Sequence, residues 1–158
     1  MLVLVASATA TCAASAVEAL SAGGIAVRAF VRKLDDARAA PLAALPGVQL
    51  VAGDLGNASD VAAALAGVAR AMLVTGAFSY EQFETESLFI EAAVAAGVEV
   101  VVRVSTASCL IKPGTKGAYG RAHHGLEAFA KAGGYPVVSL NPSWCVGGRG
   151  ATGRRARA

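Results

Sequence analysis

The fold of this chain is decided by its first stretch, Leu2-Val3-Leu4-Val5-Ala6-Ser7-Ala8-Thr9-Ala10-Thr11-Cys12-Ala13. An apolar strand runs into a short turn and then into a helical pattern that ends at Gly23-Gly24, a pair typical of a helix terminus. This layout is that of a dinucleotide-binding loop, in which the N-terminus of the helix binds a pyrophosphate. The sequence therefore predicts a strand-turn-helix unit with the layout of a nucleotide site.

The predicted loop carries Ser7, Ala10 and Ala13 at the three positions where such loops carry glycine. Ala13 adds one methyl at a helix packing contact, which is a mild change, whereas the β-carbon of Ala10 projects toward the phosphates. Ser7 needs a backbone conformation that costs a non-glycine residue about 1 kcal/mol. Because of these substitutions, we expect the binding of a cofactor to be weakened or lost. The backbone N–H groups and hydroxyls that remain are donors for residual anion binding. The residues expected to face the phosphates are Ser7, Thr9, Ala10, Thr11 and Cys12.

Composition indicates one domain with a sizeable core, because 55% of the 158 residues are hydrophobic. The longest apolar runs have the length of strands, so we expect no transmembrane helix. Three cysteines, Cys12, Cys109 and Cys145, lack any CxxC spacing. This pattern is typical of neither a disulfide framework nor a zinc site, and it favours a reducing cytoplasm.

The net charge of +3 comes from the C-terminus, where four of the fourteen basic residues lie in the last ten positions. The remaining ten nearly balance the eleven acidic residues, so a nucleic-acid partner is not expected. Residues 147–158 are rich in glycine and arginine and have no apolar period. We therefore predict a folded domain over residues 1–146 and a disordered tail over residues 147–158.

Strand-like and helix-like runs alternate along the rest of the chain, which predicts an α/β fold with a doubly wound parallel sheet of about six strands. The predicted strands are 2–6, 26–31, 48–52, 71–75, 98–105 and 136–140. The predicted helices are 11–22, 35–45, 59–66, 81–96 and 119–132. The carboxyl ends of parallel strands open on one edge of such a sheet, where ligands bind.

Three sets of residues follow strands at this edge. Arg32 and Lys33 stand where an acidic residue would bind the ribose of NAD, and two cations suit the 2′-phosphate of NADP, although a solvated basic turn gives the same pattern. Asp54 is placed to bind an adenine amino group or to cap the next helix. Thr75-Gly76-Ala77 lets a nucleotide approach the backbone or forms a tight turn.

The chain resembles NmrA-like members of the atypical short-chain dehydrogenase/reductase superfamily, a group with NADP-sensing regulators and NAD(P)H-dependent reductases. The segments that carry the resemblance are 3–20, 27–32, 51–55, 91–102, 104–108, 124–127 and 140–142. By this resemblance Arg32 meets the 2′-phosphate, Asp54 and Leu55 line the adenine pocket, and residues 75–77 lie along the cofactor. It also implies that such chains continue beyond Pro142 into a substrate-binding part that this sequence lacks.

Complete short-chain reductases use a tyrosine acid, a lysine four residues later and a serine that polarises the carbonyl. This chain offers Tyr119 with His123 in place of the lysine, and Ser105 or Thr106 as the hydroxyl. A neutral histidine lowers a tyrosine pKa less than a lysine does. Adjacent histidines at 123 and 124 point about 100° apart on a helix, so we expect no metal site.

Three functional hypotheses follow from these residues. The first is an NADP(H)-sensing or regulatory module with weakened binding, whose bound state is read by a partner protein. The second is an NAD(P)H-dependent oxidoreductase that acts on a small carbonyl or quinone. The third is a truncated domain that binds no cofactor. Apolar faces left exposed by the absent part favour self-association, and NAD is the less favoured cofactor.

Overall fold

Six parallel strands form one sheet in the computed structural model, which describes residues 1–75 and 81–142. The strands are β1 Leu2–Val5, β2 Ala26–Val31, β3 Val48–Ala52, β4 Arg70–Leu73, β5 Val100–Val104 and β6 Val137–Leu140. Their order in the sheet is β3-β2-β1-β4-β5-β6. The strand order thus reverses between β1 and β4, which is where a doubly wound sheet opens a crevice for ligands. The predicted α/β fold class is confirmed.

Five helices connect these strands within the described part of the chain. They are α1 Thr11–Ala22, α2 Ala40–Ala43, α3 Ala58–Leu65, α4 Gln82–Ala95 and α5 Ala118–Ala132. A short 3-10 turn, Ser108–Leu110, precedes α5. None of these helices is long and apolar enough to cross a bilayer.

The sheet has a separate apolar core on each face. On one face α1 and α2 pack against side chains of β1 and β2, among them Val5, Val27 and Val31. On the other face α3 and α4 enclose Leu4, Phe30 and residues of β4 and β5. Because both faces of the first four strands are covered, their residues read as apolar runs rather than as an alternating pattern.

The second predicted helix, 35–45, is too long, since only Ala40–Ala43 is helical. The carboxylate of Asp36 accepts a hydrogen bond from the backbone N–H of Arg38 at 2.9 Å, and the backbone carbonyl of Asp36 accepts one from Ala39 at 2.7 Å. These bonds close a turn where a helix was expected, because aspartate side chains compete with helical bonding. The fifth predicted strand, 98–105, is also too long. The N–H of Val98 bonds to the C-terminal turn of α4, and pairing in β5 begins at Val100.

Candidate functional site

A cleft of about 530 Å³ lies at the carboxyl ends of β1, β2 and β3. Its walls come from the loops that follow β1, β2 and β3. The residues that line it are Ser7, Thr9, Ala10, Phe30, Val31, Arg32, Lys33, Asp36, Arg38, Gly53, Asp54 and Leu55. Seven residues predicted to bind a cofactor are therefore brought together: Ser7, Thr9, Ala10, Arg32, Lys33, Asp54 and Leu55.

The loop after β1 keeps the tight turn of a dinucleotide-binding loop without its first glycine. Ser7 has a φ of 50°, and it is the one residue other than glycine with positive φ in the described chain. The turn is closed by a 2.8 Å bond from the N–H of Ala10 to the carbonyl of Ser7, and Ala8 donates to the carbonyl of Phe30 at 3.0 Å. A left-handed serine costs about 1 kcal/mol or more. The surrounding bonds thus hold Ser7 in a conformation that glycine adopts freely.

The second and third glycine positions differ in how they accommodate a methyl group. Ala10 precedes α1 with φ −71° and ψ 146°, a relaxed conformation, and it lines the cleft. Ala13 is fully buried between α1 and the sheet. No side chain caps the N-terminus of α1. The helix therefore presents backbone donors to an anion as such loops do, while the methyl of Ala10 lies in the wall that a pyrophosphate approaches.

The loop after β2 supplies the cationic wall of the cleft. Arg32 and Lys33 are exposed, and neither forms an ion pair with any other described residue. Asp36 and Arg38 form a two-pronged pair, with Nε of Arg38 3.0 Å from Oδ1 and Nη2 2.7 Å from Oδ2. The hydrogen bonds from Arg38 hold the pKa of the Asp36 carboxyl down at about 2. The pair is therefore ionised at neutral pH and leaves Arg32 and Lys33 as the unpaired cations.

The loop after β3 is shaped by a close approach of its backbone to an aromatic ring. A β-carbon on Gly53 would lie 2.6 Å from the ring of Phe30 and 2.9 Å from Cβ of Asp60, so only glycine fits there. Asp54 does not cap α3, so the prediction that it caps the next helix is wrong. Asn57 caps that helix through Ser59 and Asp60, and Asp54 accepts a 2.8 Å bond from the N–H of Gly56. The cap is Asn57 because it immediately precedes the first helical residue.

A buried polar cluster lies on the other side of the strand reversal, between β5, α4 and α5. Arg103 donates from Nε to Glu86 at 2.8 Å and from Nη2 to Nδ1 of His123 at 2.6 Å. Thr75 and Gln82 both donate to Oε1 of Glu86, at 2.6 and 2.7 Å. Arg103, Glu86 and His123 are each 1% exposed or less. The ion pair between Arg103 and Glu86 is therefore fully desolvated.

The bonding pattern of this cluster fixes the proton on His123. A guanidinium only donates, so Nδ1 accepts from Arg103 and Nε2 carries the hydrogen. Burial and then the charge of Arg103 lower the pKa of His123 below its ordinary value, which keeps the ring neutral. Nε2 meets the amide nitrogen of Gln82 at 3.2 Å, and Oε1 of Gln82 is the one buried side-chain atom of the described residues without a hydrogen bond. Two donors thus face each other at this contact, while the acceptor oxygen of the same amide has no partner in the described part of the chain.

Sequence comparison assigns the chain to a family. The sequence model of a family described as NAD(P)H-binding matches residues 8–157, which is nearly the whole chain. This chain belongs to that NAD(P)H-binding family. No curated protein sequence matches the domain.

Solved structures share the fold of this NAD(P)H-binding domain. NmrA, a negative transcriptional regulator solved in complex with NADP and also with NAD, aligns at 24% identity and a TM-score of 0.78 over 89% of this chain and 44% of its own. An NADPH-dependent quinone oxidoreductase from Escherichia coli, solved with NADPH, aligns at 23% identity and a TM-score of 0.74 over 90% and 49%. Vestitone reductase from alfalfa aligns at 17% identity and a TM-score of 0.67 over 89% and 56%. The chain spans about half the length of these structures.

The three catalytic candidates of the NAD(P)H-binding domain lie next to one another. The hydroxyl of Ser105 is 3.2 Å from Nδ1 of His123, and the rings of Tyr119 and His123 meet edge to face with centroids 4.5 Å apart. Ser105 and Thr106 are buried, and Tyr119 is half-buried. His123 faces Arg103 in the core rather than the open cleft.

Other predicted cofactor residues of the domain lie outside the cleft wall. Thr11 and Cys12 open the first turn of α1, and Thr75 turns its hydroxyl toward Glu86. Gly76 and Ala77 lie outside the described residues, as do Cys145 and the tail 147–158.

Sequence reasoning missed two charged pairs in this domain. Arg103 interrupts the valine run of β5 at a buried position, and Glu86 lies four residues after Gln82 on one face of α4. A charge in the middle of a parallel strand is a signal of a buried partner, because such strands are covered on both faces. The second pair, Asp36 with Arg38, carries only the weak signal of two opposite charges spaced by one residue.

Proposed function

We propose that this NAD(P)H-binding domain is a sensing or regulatory module that binds NADP(H) with reduced affinity. The observation that carries the proposal is the cleft, which combines the unpaired cations Arg32 and Lys33 with a strained Ser7 and the methyl of Ala10. Cations after the second strand suit a 2′-phosphate. The loop after β1, in which Ser7 and Ala10 replace glycines, weakens the binding of the pyrophosphate. The result is a site that selects NADP(H) and releases it readily.

The fit of the residues to a bound dinucleotide supports this proposal. The uncapped N-terminus of α1 and the hydroxyls of Ser7 and Thr9 would hold the pyrophosphate, and Asp54 and Leu55 would line the adenine pocket. Bound NADPH supplies a hydride. A sensing role requires only that a partner protein distinguishes the bound state from the free state. The similarity in fold to NmrA, a regulator solved with NADP, supports this role.

The state of His123 further favours sensing over catalysis. A ribose-binding lysine is charged and reaches into the cleft, whereas His123 is neutral, buried and bonded to Arg103. The domain therefore lacks the group that lowers the tyrosine pKa in complete reductases. We further place the protein in a reducing cytoplasm, because Cys12, Cys109 and Cys145 lack the spacing of a disulfide framework.

Calorimetric titration of the purified protein with NADPH, and separately with NADH, tests the proposal. We expect NADPH to bind with a dissociation constant in the micromolar range or weaker and NADH to bind less tightly. The Ser7→Gly/Ala10→Gly variant should bind NADPH more tightly, because it removes the backbone strain and the methyl. No heat with either nucleotide, from protein that unfolds cooperatively, would contradict the proposal and favour a domain without a cofactor.

A second candidate is an NAD(P)H-dependent oxidoreductase acting on a small carbonyl or quinone. The observation that favours it is the convergence of Ser105, Tyr119 and His123. A hydride from the cofactor and a proton from Tyr119 would together reduce the substrate. NADPH oxidation with a panel of quinones and aldehydes measures this activity, and Tyr119→Phe should abolish any turnover. Turnover that survives Tyr119→Phe would exclude Tyr119 as the acid.

A further inference from the structure

The Asp36–Arg38 pair occupies the part of the cleft where the cofactor is selected. Both residues line the cleft together with Arg32 and Lys33. Arg38 binds both carboxylate oxygens of Asp36, and its backbone N–H donates to Oδ1 at 2.9 Å. The Asp36 side chain is 27% exposed and that of Arg38 is 69% exposed, so the pair faces the solvent of the cleft rather than the core.

We propose that Arg38 makes the site selective for NADP(H) by neutralising Asp36. This inference rests on the proposed function and names the residue pair that sets its cofactor preference. A carboxylate after the second strand of such a fold accepts hydrogen bonds from the ribose of NAD and repels a 2′-phosphate. Asp36 is a carboxylate of the loop after that strand, five residues past Val31, where it lines the cleft, and Arg38 occupies both of its oxygens. The charge left facing a nucleotide is then that of Arg32 and Lys33.

The charges on every wall of the cleft support this assignment. Of the charged residues in the loop after β2, Arg32, Lys33 and the neutralised pair line the cleft and Asp35 does not, while the loop after β3 contributes the carboxylate of Asp54. The oxygen Oδ1 of Asp54 accepts a bond from the N–H of Gly56 within its own turn. Without Arg38, two carboxylates would offset the two cations and the preference for a 2′-phosphate would be weaker.

Two substitutions separate the charge of the pair from its role in the turn. Arg38→Ala frees Asp36 to meet the ribose and the 2′-phosphate. Asp36→Asn keeps an oxygen to accept from the N–H of residue 38 but removes the negative charge, so Arg38 becomes a third cation. The matched control is Arg70→Ala, which breaks the exposed 3.4 Å pair with Glu99 at the opposite, amino edge of the sheet.

The experiment measures dissociation constants of NADPH and NADH by calorimetry for the unaltered protein and the three variants. Adenosine 2′,5′-bisphosphate and AMP are added as probes that report only on the adenosine end. Arg38→Ala should lower the preference for the 2′-phosphorylated ligand by about two- to five-fold, and Asp36→Asn should raise it by a similar factor, the range of partly solvated charge pairs. Arg70→Ala should leave it unchanged, and higher salt should reduce both changes.

The outcomes distinguish this inference from the function on which it rests. If the unaltered protein binds the nucleotides but neither Arg38→Ala nor Asp36→Asn changes the ratio, the inference is overturned and the proposed function stands. A ratio that changes equally in Arg70→Ala also overturns it, because the effect is then one of net charge. If the unaltered protein binds none of the four ligands, both proposals are overturned together.

Discussion

Arg103 and His123 share a 2.6 Å hydrogen bond inside the protein, from a guanidinium that cannot accept to a ring nitrogen that must therefore lack a proton. The position that corresponds to the catalytic lysine of reductases is thus occupied by a side chain turned toward a buried cation. The spacing from Tyr119 to His123 matches that of complete reductases, but it does not report that the ring of His123 is bonded within the core.

His123→Lys should not create a reductase site, although it restores the tyrosine-to-lysine spacing. The new ammonium would lie beside the buried guanidinium of Arg103, and Glu86, the buried carboxylate of the cluster, is already paired with Arg103, while Glu127 is only half-buried. We expect a loss of about 3 to 5 kcal/mol of unfolding free energy, the range for an uncompensated buried charge. Urea unfolding measures this change. His123→Gln, which adds no charge, is the control and should lose less. A His123→Lys protein that is as stable as the unaltered one and reduces quinones would contradict this view.

Stability should decrease below about pH 6.5 because of His123. Burial and Arg103 lower the pKa of this residue in the folded state, so the unfolded chain binds a proton first as the pH falls. The contribution is complete above the unfolded pKa and is lost at lower pH. Urea unfolding of the unaltered protein and of His123→Gln at pH 7.5 and 5.5 checks this expectation. His124→Gln is the matched control, since the chain has two histidines and His124 is only half-buried. An equal pH response in His123→Gln would disprove the assignment.

Ser7→Gly should stabilise the protein by about 0.5 to 1 kcal/mol, because it relieves a left-handed backbone at the cost of a more flexible unfolded chain. Ser7→Ala keeps the φ of 50° and should give no gain. Ala10→Gly should likewise give little, since Ala10 is relaxed. Thermal unfolding of the three variants measures the differences. A gain from Ser7→Ala equal to that from Ser7→Gly would show that the hydroxyl, rather than the backbone, carries the cost.

Gly120→Ala should destabilise the protein by about 1 to 3 kcal/mol through overpacking. A β-carbon there would lie 2.5 Å from the carbonyl oxygen of Leu110, which is backbone and cannot turn aside. Gly125→Ala in the same helix is the control. Its β-carbon would meet the ring of Phe83 at 3.2 Å, but that ring is 36% exposed and free to shift. The better helix propensity of alanine should make Gly125→Ala neutral or stabilising by up to about 1 kcal/mol. Chemical denaturation of both variants measures the change in unfolding free energy. Equal changes in the two variants would contradict overpacking at Gly120.

The strands and most helix ends could be predicted because local sequence specifies them. Short valine-rich runs gave β1, β2 and β3 within one residue, and Gly23 and Gly97 marked where α1 and α4 stop. The exceptions were β5, whose first predicted residues belong to the turn after α4, and α2, where the side chain of Asp36 competes with the helix for backbone bonds. A turn of this kind forms only when the aspartate side chain points toward the backbone N–H two residues later. The spacing of apolar residues in the sequence carries no information on that orientation.

The convergence of loops at one cleft could be predicted from parallel strands, whereas the buried cluster could not. Parallel strands bring the loops after residues 5, 31 and 52 to one edge whatever their side chains are. The meeting of Glu86, Arg103 and His123 depends instead on how α4 and α5 lie across β5. Partners separated by 17 and 20 residues have no local signature beyond the charge in the strand.

The reversal of strand order between β1 and β4 separates two polar regions that come from different parts of the chain. Residues up to 55 line the cleft, and residues from 75 onward build the cluster around His123. Because the two regions come from separate parts of the chain, substitutions in one can leave the contacts of the other intact. Under the proposed function, the cleft can keep its ligand while the region around Tyr119 and His123 changes.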